Sequence, residues 1–279
     1  MRLVLQGPHL APEHLQHIAR LCNAPAPSRV AEQAFCLYVS SRNEDVSTYC
    51  ETHRIDCAFV PNALTLDQFG LVVMDMDSTL INIESIDEIA DMLGLKAQIA
   101  AITELAMCGE IEFAESLRQR VALLQGLDES ALQRVYDERM QLNPGAQTLI
   151  NSLKSRGIRT LLVSGGFSFF TDRLKPRIGL DYAHANTLEI INGKLTGKIF
   201  GDILDAQGKA DWLIKTRDHM GLRPEQVIAI GDGANDLKMM SAAGVAIAYH
   251  AKPIVREQAT FALNHTGLDG LLNLFTSGN

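Results

Sequence analysis

The run Leu71-Val72-Val73-Met74-Asp75-Met76-Asp77-Ser78-Thr79-Leu80 constrains this chain more than any other stretch, because an unbroken apolar segment ends in two carboxylates one residue apart, followed by hydroxyls. A strand buried on both faces of a parallel sheet reads as a continuous Val/Leu run. Open α/β sheets place their ligands beyond the carboxyl ends of such strands, so Asp75 stands where chemistry is expected. Two neighbouring carboxylates are able to divide nucleophilic and acid/base duties. The alternative is a strand end whose Asp and Ser cap the next helix. The run by itself leaves both readings open.

At 279 residues the chain is long enough for one large α/β domain and a smaller one. Its formal charge of -8 argues against a general nucleic-acid surface, which requires a basic face. Cys22, Cys36, Cys50, Cys57 and Cys108 are odd in number and lack CxxC spacing, so neither a zinc site nor a disulfide framework is expected. Reduced thiols in a cytoplasm are the default expectation. The amino terminus lacks a sustained apolar core, and no apolar stretch approaches the roughly 18 residues of a membrane span. The expectation is a soluble protein without a membrane partner.

Residues 1–68 read as a small α+β module. Strand-like pieces at 3–5, 35–39 and 57–60 alternate with helical stretches at 13–22 and 43–53. His14 and His17 share a helix face without a third ligand type and read as surface histidines. Residues 83–141 are helical in pattern, broken at Gly94, Gly109 and Gly126, and suggest an inserted helical cap. Strand signals return at 159–164, 227–231 and 245–249, with helices at 145–156, 209–220 and 234–242. This alternation predicts an α/β fold with a doubly wound parallel sheet over 69–82 and 142–279. Asn192-Gly193 between apolar alternating runs predicts a hairpin.

Three more loops follow strands of the same predicted sheet and carry groups suited to phosphate or metal. Ser164-Gly165-Gly166 offers a hydroxyl and close backbone amides ahead of a helix, an arrangement that binds anions and also makes an ordinary glycine turn. Gly231-Asp232-Gly233-Ala234-Asn235-Asp236 packs two carboxylates and an amide into one turn. Oxygen donors of this kind suit Mg²⁺, which is often held by one or two carboxylates plus a substrate phosphate; a capped Asp-Gly turn is the other reading. Lys209 stands near the predicted start of a helix, where a cation opposes the dipole. Its place makes sense if the ammonium is directed at carboxylates and a phosphate, and a solvated surface lysine is the alternative.

In order, Asp75-x-Asp77-Ser78-Thr79, Ser164-Gly165-Gly166, Lys209 and Gly231-Asp232-Gly233-x-Asn235-Asp236 resemble the four motifs of the haloacid dehalogenase superfamily phosphatases. Together with Glu84, the 113–124 segment and Ala251-Lys252-Pro253, the set is similar to the phosphoserine phosphatase family from about Gly70 onward. The resemblance implies that Asp75 attacks phosphorus to form an aspartyl phosphate and that Asp77 serves as acid, then base. It implies Mg²⁺ on the Asp75 carboxylate, the Asp77 carbonyl and Asp232, with Asp236 in support. Ser164, Gly165 and Lys209 would hold phosphate oxygens, with Asn235 beside the substrate. The substrate implied is O-phospho-L-serine, yielding L-serine and phosphate in serine biosynthesis. The amino-terminal module loosely resembles regulatory or dimerisation domains, which suggests a homodimer through it.

Free phosphoserine carries an ammonium and a carboxylate beside its phosphate, so a selective pocket needs an acid and a base beyond the catalytic set. A helix through Phe113, Leu117, Arg120 and Leu124 puts Arg120 within an apolar stripe and turns Arg118 away. Arg120 therefore either snorkels or binds an anion under the cap. By resemblance Glu84 takes the substrate ammonium, and its alternative is a first-turn acid on a helix dipole. Met107 and Phe113 resemble pocket walls, roles that core packing would also explain. Rival functions are a same-fold phosphatase or phosphotransferase for another small phosphomonoester, and a non-enzymatic serine-binding regulator.

Overall fold

A computed structural model describes residues 1–108 and 110–276, the side chain of Met107 excepted. The strands are β1 (Arg2–Gln6), β2 (Ser28–Ala31), β3 (Ala34–Tyr38), β4 (Asp56–Val60), β5 (Leu71–Met74), β6 (Arg159–Phe167), β7 (Tyr182–Ile191), β8 (Lys194–Phe200), β9 (Val227–Gly231), β10 (Val245–Tyr249) and β11 (Phe261–Leu263). They form two sheets. The larger has the order β11-β10-β9-β5-β6-β7-β8 and is parallel except for the β7–β8 pair. The chain leaves β5 for β6 on one side and later returns to β9 on the other. The carboxyl ends of β5, β6 and β9 thus frame the crevice at the switch point of the sheet.

Burial on both faces explains the unbroken apolar run of β5. Leu71 and Val73 pack with Leu161, Val163, Val227 and Ala229 on one face, where Leu213, Met239 and Met240 cover them. Val72 and Met74 pack with Leu162, Ile228 and Ile230 on the other, beneath Leu149, Leu153, Phe170 and Leu174. The smaller sheet has the order β2-β3-β1-β4, with β1 antiparallel to both neighbours. With helices Pro12–Leu21 and Glu44–Thr52 it forms a split βαββαβ unit. Leu3, Leu5, Leu37 and Phe59 face those helices, whereas Val4, Ala58 and Val60 join the core of the larger sheet. All five residues of β1 are therefore buried, without the alternation of a half-solvated antiparallel strand.

Helices Ser85–Met92, Lys96–Met107, Phe113–Ala122 and Ser130–Arg134, followed by the wider turn Val135–Arg139, fill the segment between β5 and β6. The β7–β8 hairpin reaches this block, where Gly126 N donates to Leu195 O and Leu195 N to Leu127 O, each at 2.8 Å. At its tip Asn192 and Gly193 have φ of 53° and 75°, the doubly left-handed turn that matches strand twist.

Several elements differ from the sequence expectation. Strands β2 and β11 and the first half of β7 carry no strong periodicity and form by pairing with β3, β10 and β6, and the helices Ser168–Ile178, Pro253–Gln258 and Gly270–Leu274 are further elements the sequence pattern does not announce. The helix expected from residue 209 begins at Ala206, because the Asp205 carboxylate caps it by accepting from Gly208 N at 2.9 Å. The helix expected over 234–242 divides into a tight turn, Ala234–Asp236, and the helix Leu237–Ser241. His14 and His17 are half-buried rather than free on the surface: His14 Nδ1 lies 2.9 Å from Tyr49 Oη, and His17 stacks on Tyr49 at 4.3 Å between ring centroids.

Nothing lies within 4 Å of where a Cβ on Gly193 would stand, so Gly193→Ala isolates the backbone cost of the hairpin turn. The substitution is expected to lower stability by about 1 kcal/mol with an unchanged circular dichroism spectrum. Urea unfolding of the two proteins measures it.

Candidate active site

Strand β5 delivers Asp75 to the crevice, where Asp75 N donates to Ile230 O of β9 at 3.1 Å. The chain then turns through a wide loop, Met76–Leu80, in which Ser78 adopts φ 56°. This loop presents its side chains in three directions. Ser78 Oγ donates to Glu84 Oε1 at 2.6 Å, Thr79 Oγ1 donates to Asp232 Oδ1 at 2.8 Å, and Asp77 Oδ2 accepts from Ser85 Oγ at 2.8 Å and Ser85 N at 3.2 Å. The other Asp77 oxygen, Oδ1, is buried and accepts no hydrogen bond.

A buried lysine ties the strand ends together. Lys209 Nζ lies 2.8 Å from Asp75 Oδ2 and 2.7 Å from Asp236 Oδ1, and Lys209 and Asp236 are 1% and 0% exposed. The second Asp236 oxygen accepts from Asp232 N at 3.2 Å and Gly233 N at 3.1 Å, which folds the 231–236 turn back on itself. A Cβ at position 231 would stand 2.6 Å from the Asp236 Cβ, so this turn requires glycine there. Ser164 Oγ accepts from Gly166 N at 2.9 Å and keeps its own O–H for another acceptor. A Cβ on Gly166 would crowd Asp77 Oδ2 at 3.1 Å.

Like charges crowd this crevice. Burial, reinforced by the Asp236 charge, pushes the Asp75 carboxyl well above its ordinary range despite Lys209. Burial and the Glu84 charge lift Asp77 to about 7, and burial with the Asp236 charge lifts Asp232 to about 6. Burial alone would disfavour the Lys209 cation, yet the Asp236 and Asp75 charges outweigh it and hold the amine above its usual range. One oxygen each from Asp75, Asp232 and Asp236 lie within 4.8 Å of one another. Three carboxylates so close, with a single buried ammonium among them, are short of positive charge and suit a small divalent cation with oxygen ligands.

Asp75, Asp77, Glu84, Phe113, Arg120, Ser164, Gly165, Asp232 and Asn235 line one cavity of about 320 Å³. Lys209 and Asp236 stand behind its wall, and the Met107 side chain lies outside the described residues. Among the lining residues, Arg120 donates with its Nε to Ser116 O at 3.3 Å. Burial draws its guanidinium below the ordinary range, against the opposing pull of Asp87 and Glu84. Arg118 is exposed and pairs only loosely with Glu115, at 3.9 Å.

The haloacid dehalogenase-like hydrolase family matches residues 72–241, and a domain of unknown function, DUF4072, matches residues 3–45. A phosphoserine phosphatase from Polaromonas sp. is 55% identical over 216 residues, covering 76% of this chain and 92% of that protein. The chain belongs to the haloacid dehalogenase-like hydrolases, in the phosphoserine phosphatase family. Among solved structures, a haloacid dehalogenase family hydrolase from Salmonella enterica serovar Typhi superposes with a TM-score of 0.90 at 34% identity, covering 98% of this chain and 97% of that one. A probable phosphoserine phosphatase from Vibrio cholerae gives 0.86 at 36% identity, covering 98% and 86%.

Sequence reasoning assigned no role to several residues of this hydrolase site. Ser85 holds Asp77, and its signal was only a Ser ahead of a helical pattern. Asp87, Thr103 and Lys252 line the cavity, the last within the Ala251-Lys252-Pro253 stretch. Asn186, 1% exposed, donates to Gly165 O at 2.9 Å and accepts from Leu204 N at 2.7 Å, bracing the phosphate-side loop. An Asn inside a strand is the one clue the sequence offers for it. Removing the central cation leaves two buried carboxylates facing each other. Lys209→Met is expected to destabilise the metal-free protein by about 3 kcal/mol, measured by urea unfolding, and by less when Asp236→Asn is added.

Proposed function

We infer that this hydrolase cleaves O-phospho-L-serine to L-serine and phosphate, and that Asp75 carries the phosphoryl group between the two half-reactions. The observation behind this reading is the single cavity in which the Asp75/Asp77 pair faces Arg120 and Glu84. In the first half-reaction an Asp75 oxygen bonds to phosphorus as the bond from phosphorus to the serine oxygen breaks, and Asp77 gives its proton to that oxygen. In the second, Asp77 takes a proton from water, the water oxygen bonds to phosphorus, and the bond to Asp75 breaks. A carboxyl that burial lifts above its ordinary range is better suited to giving a proton in the first half-reaction and taking one in the second than an ordinary, fully ionised one.

Ser164 and the Gly165 amide offer donors to the phosphate oxygens, and Lys209 favours the ionised form of Asp75 from behind while lending positive charge to the same oxygens. Asn235, which lines the same cavity, is assigned to substrate binding. Asp75, the Asp77 carbonyl and Asp232 would hold Mg²⁺, with Asp236 in support. Such an ion, when bound, offsets the repulsion between an anionic nucleophile and an anionic phosphate. Arg120 supports binding of the substrate carboxylate through its planar donor fork, and Glu84 binding of the ammonium. Phe113 is assigned to the apolar wall. We assign residues 69–82 and 142–279 to the catalytic core, 83–141 to a helical cap over it, and 1–68 to the small domain through which a homodimer would form. Five free thiols and the absence, among the described residues, of a helix long and apolar enough to cross a membrane fit a cytoplasmic place in serine biosynthesis.

A panel of phosphate esters tests the reading. With Mg²⁺ present, phosphoserine is expected to turn over faster than unrelated esters; EDTA stops phosphate release and added Mg²⁺ restores it. Asp75→Asn is expected to release none while keeping the wild-type circular dichroism spectrum. Equal rates on all esters would sink the substrate assignment, and transfer to added homoserine in place of water would favour a phosphotransferase. Arg120→Ala is expected to raise KM for phosphoserine by about 50-fold and to leave a carboxylate-free ester nearly unchanged, from the loss of one charge-assisted pair. An equal rise for both esters contradicts the contact.

A further inference from the structure

The small sheet packs on the core of the larger sheet through Val4, Ala58 and Val60, and is tied to it by Gln6, which donates to Gly270 O at 3.1 Å and accepts from Asn273 Nδ2 at 2.7 Å, and by one buried carboxylate. Asp56, at the start of β4 and 3% exposed, accepts from Asn264 N at 2.7 Å with Oδ1. Its Oδ2 accepts from His265 N at 3.0 Å, Thr266 N at 3.1 Å and Thr266 Oγ1 at 2.9 Å. Four donors from a segment more than two hundred residues away thus converge on one side chain of the amino-terminal module. The loop it holds, which follows β11, continues directly into Gly267 and Leu268. Leu268 N donates to Pro144 O at 2.8 Å, and a Cβ on Gly267 would stand 2.6 Å from that same oxygen, so the two backbones are in direct contact.

Next to Pro144 is Asn143. Its Nδ2 lies 3.3, 2.8 and 3.0 Å from the carbonyl oxygens of Ser78, Thr79 and Ile81, and its backbone N donates to Leu80 O at 2.9 Å. One residue thereby gathers four successive carbonyls of the turn that carries Asp77. Those carbonyls have a reason to need holding. Ser78 sits at φ 56°, a conformation a non-glycine residue keeps only when its surroundings impose it, at a cost of about 1 kcal/mol or more. Helix Ala146–Ser155 starts three residues after Asn143, and its first residue, Ala146, donates its backbone N–H to Asn143 O at 3.1 Å.

We propose that Asp56 and Asn143 are the two ends of one positioning relay, through which the amino-terminal sheet holds the catalytic turn 76–81 in its working shape. The inference rests on the catalytic assignment of that turn. Asn143 touches no reacting atom; it fixes the peptide planes from which Asp77, Ser78 and Thr79 project, and Asp56 fixes the loop against which Asn143 and Pro144 are seated. In this arrangement the amino-terminal module contributes to turnover with no residue of its own in the cavity.

The test uses the full chain with saturating Mg²⁺ and p-nitrophenyl phosphate, whose lack of ammonium and carboxylate removes Glu84 and Arg120 from the readout. Asn143→Ala is expected to lower kcat about 100-fold, and Asp56→Asn about 5-fold, both with KM within about 2-fold of wild type, because misplacing a catalytic group by a fraction of an ångström acts on the chemical step. The double variant is expected to match Asn143→Ala alone, and amide hydrogen exchange over 76–81 to quicken in both single variants. Wild-type kcat in a folded Asn143→Ala, multiplicative losses in the double variant, or unaltered exchange in Asp56→Asn overturns the relay. Should Asn143→Ala fail to fold by circular dichroism, Asp56→Asn decides through the same kcat and exchange readouts. Exchange is measured without substrate, so a wild type that hydrolyses neither ester defeats the proposed function while the relay is still judged on its own result.

Discussion

The bridge from Lys209 to Asp75 and Asp236 is the interaction on which this site depends. An ammonium buried to 1% exposure is tolerable only when its charge is met, and carboxylates buried beside it are tolerable only while it is there. Because Asp75 ends β5, Asp236 closes the turn after β9 and Lys209 sits on helix Ala206–His219, the bridge joins three elements of the core at the point where the sheet opens. It also leaves a deficit of positive charge. Asp75, Asp77 and Asp232 all stand above their ordinary carboxylate ranges, the condition that a bound cation relieves.

Around this bridge the site is built in layers. The strand ends and the 231–236 turn are held by backbone donors to Asp236 and by Gly231, where a Cβ would meet the Asp236 side chain. The turn 76–81 is less regular. It depends on contacts from outside itself: Ser85 on Asp77, Asp232 on Thr79, Glu84 on Ser78, and Asn143 on its carbonyls. Farthest out, Arg120 and Phe113 project from the helical block over the cavity. The block and the β7–β8 hairpin share backbone hydrogen bonds, so this side of the cavity is tied to the antiparallel edge of the sheet.

Much of the core was legible in the sequence because its signals are strong and local. A continuous apolar run means burial on two faces, and Val72/Met74 and Leu71/Val73 indeed feed two different clusters. Asn192-Gly193 marks a tight hairpin because both residues tolerate positive φ. Elements at the edges were not legible. β2 and β11 take their conformation from a partner strand and carry no pattern of their own, and the 234–236 turn is broken from its helix by carboxylate bonds that no periodicity records.

The sequence by itself determined which chemical groups this protein has and which of them lie at strand ends, since residue type and local pattern are properties of a few neighbouring positions. That was enough for Asp75, Asp77, Ser164, Lys209 and Asp232 to be singled out. Only the tertiary structure decided that Lys209 bridges Asp75 and Asp236 from behind the cavity, that Arg120 lines the same cavity as Asp75 and Asp77, that Asn143 gathers the carbonyls of the turn after β5, and that Asp56 holds the loop after β11. Those relations join residues far apart in the chain. Desolvation and charge act through space, and no stretch of sequence contains the distances on which they depend.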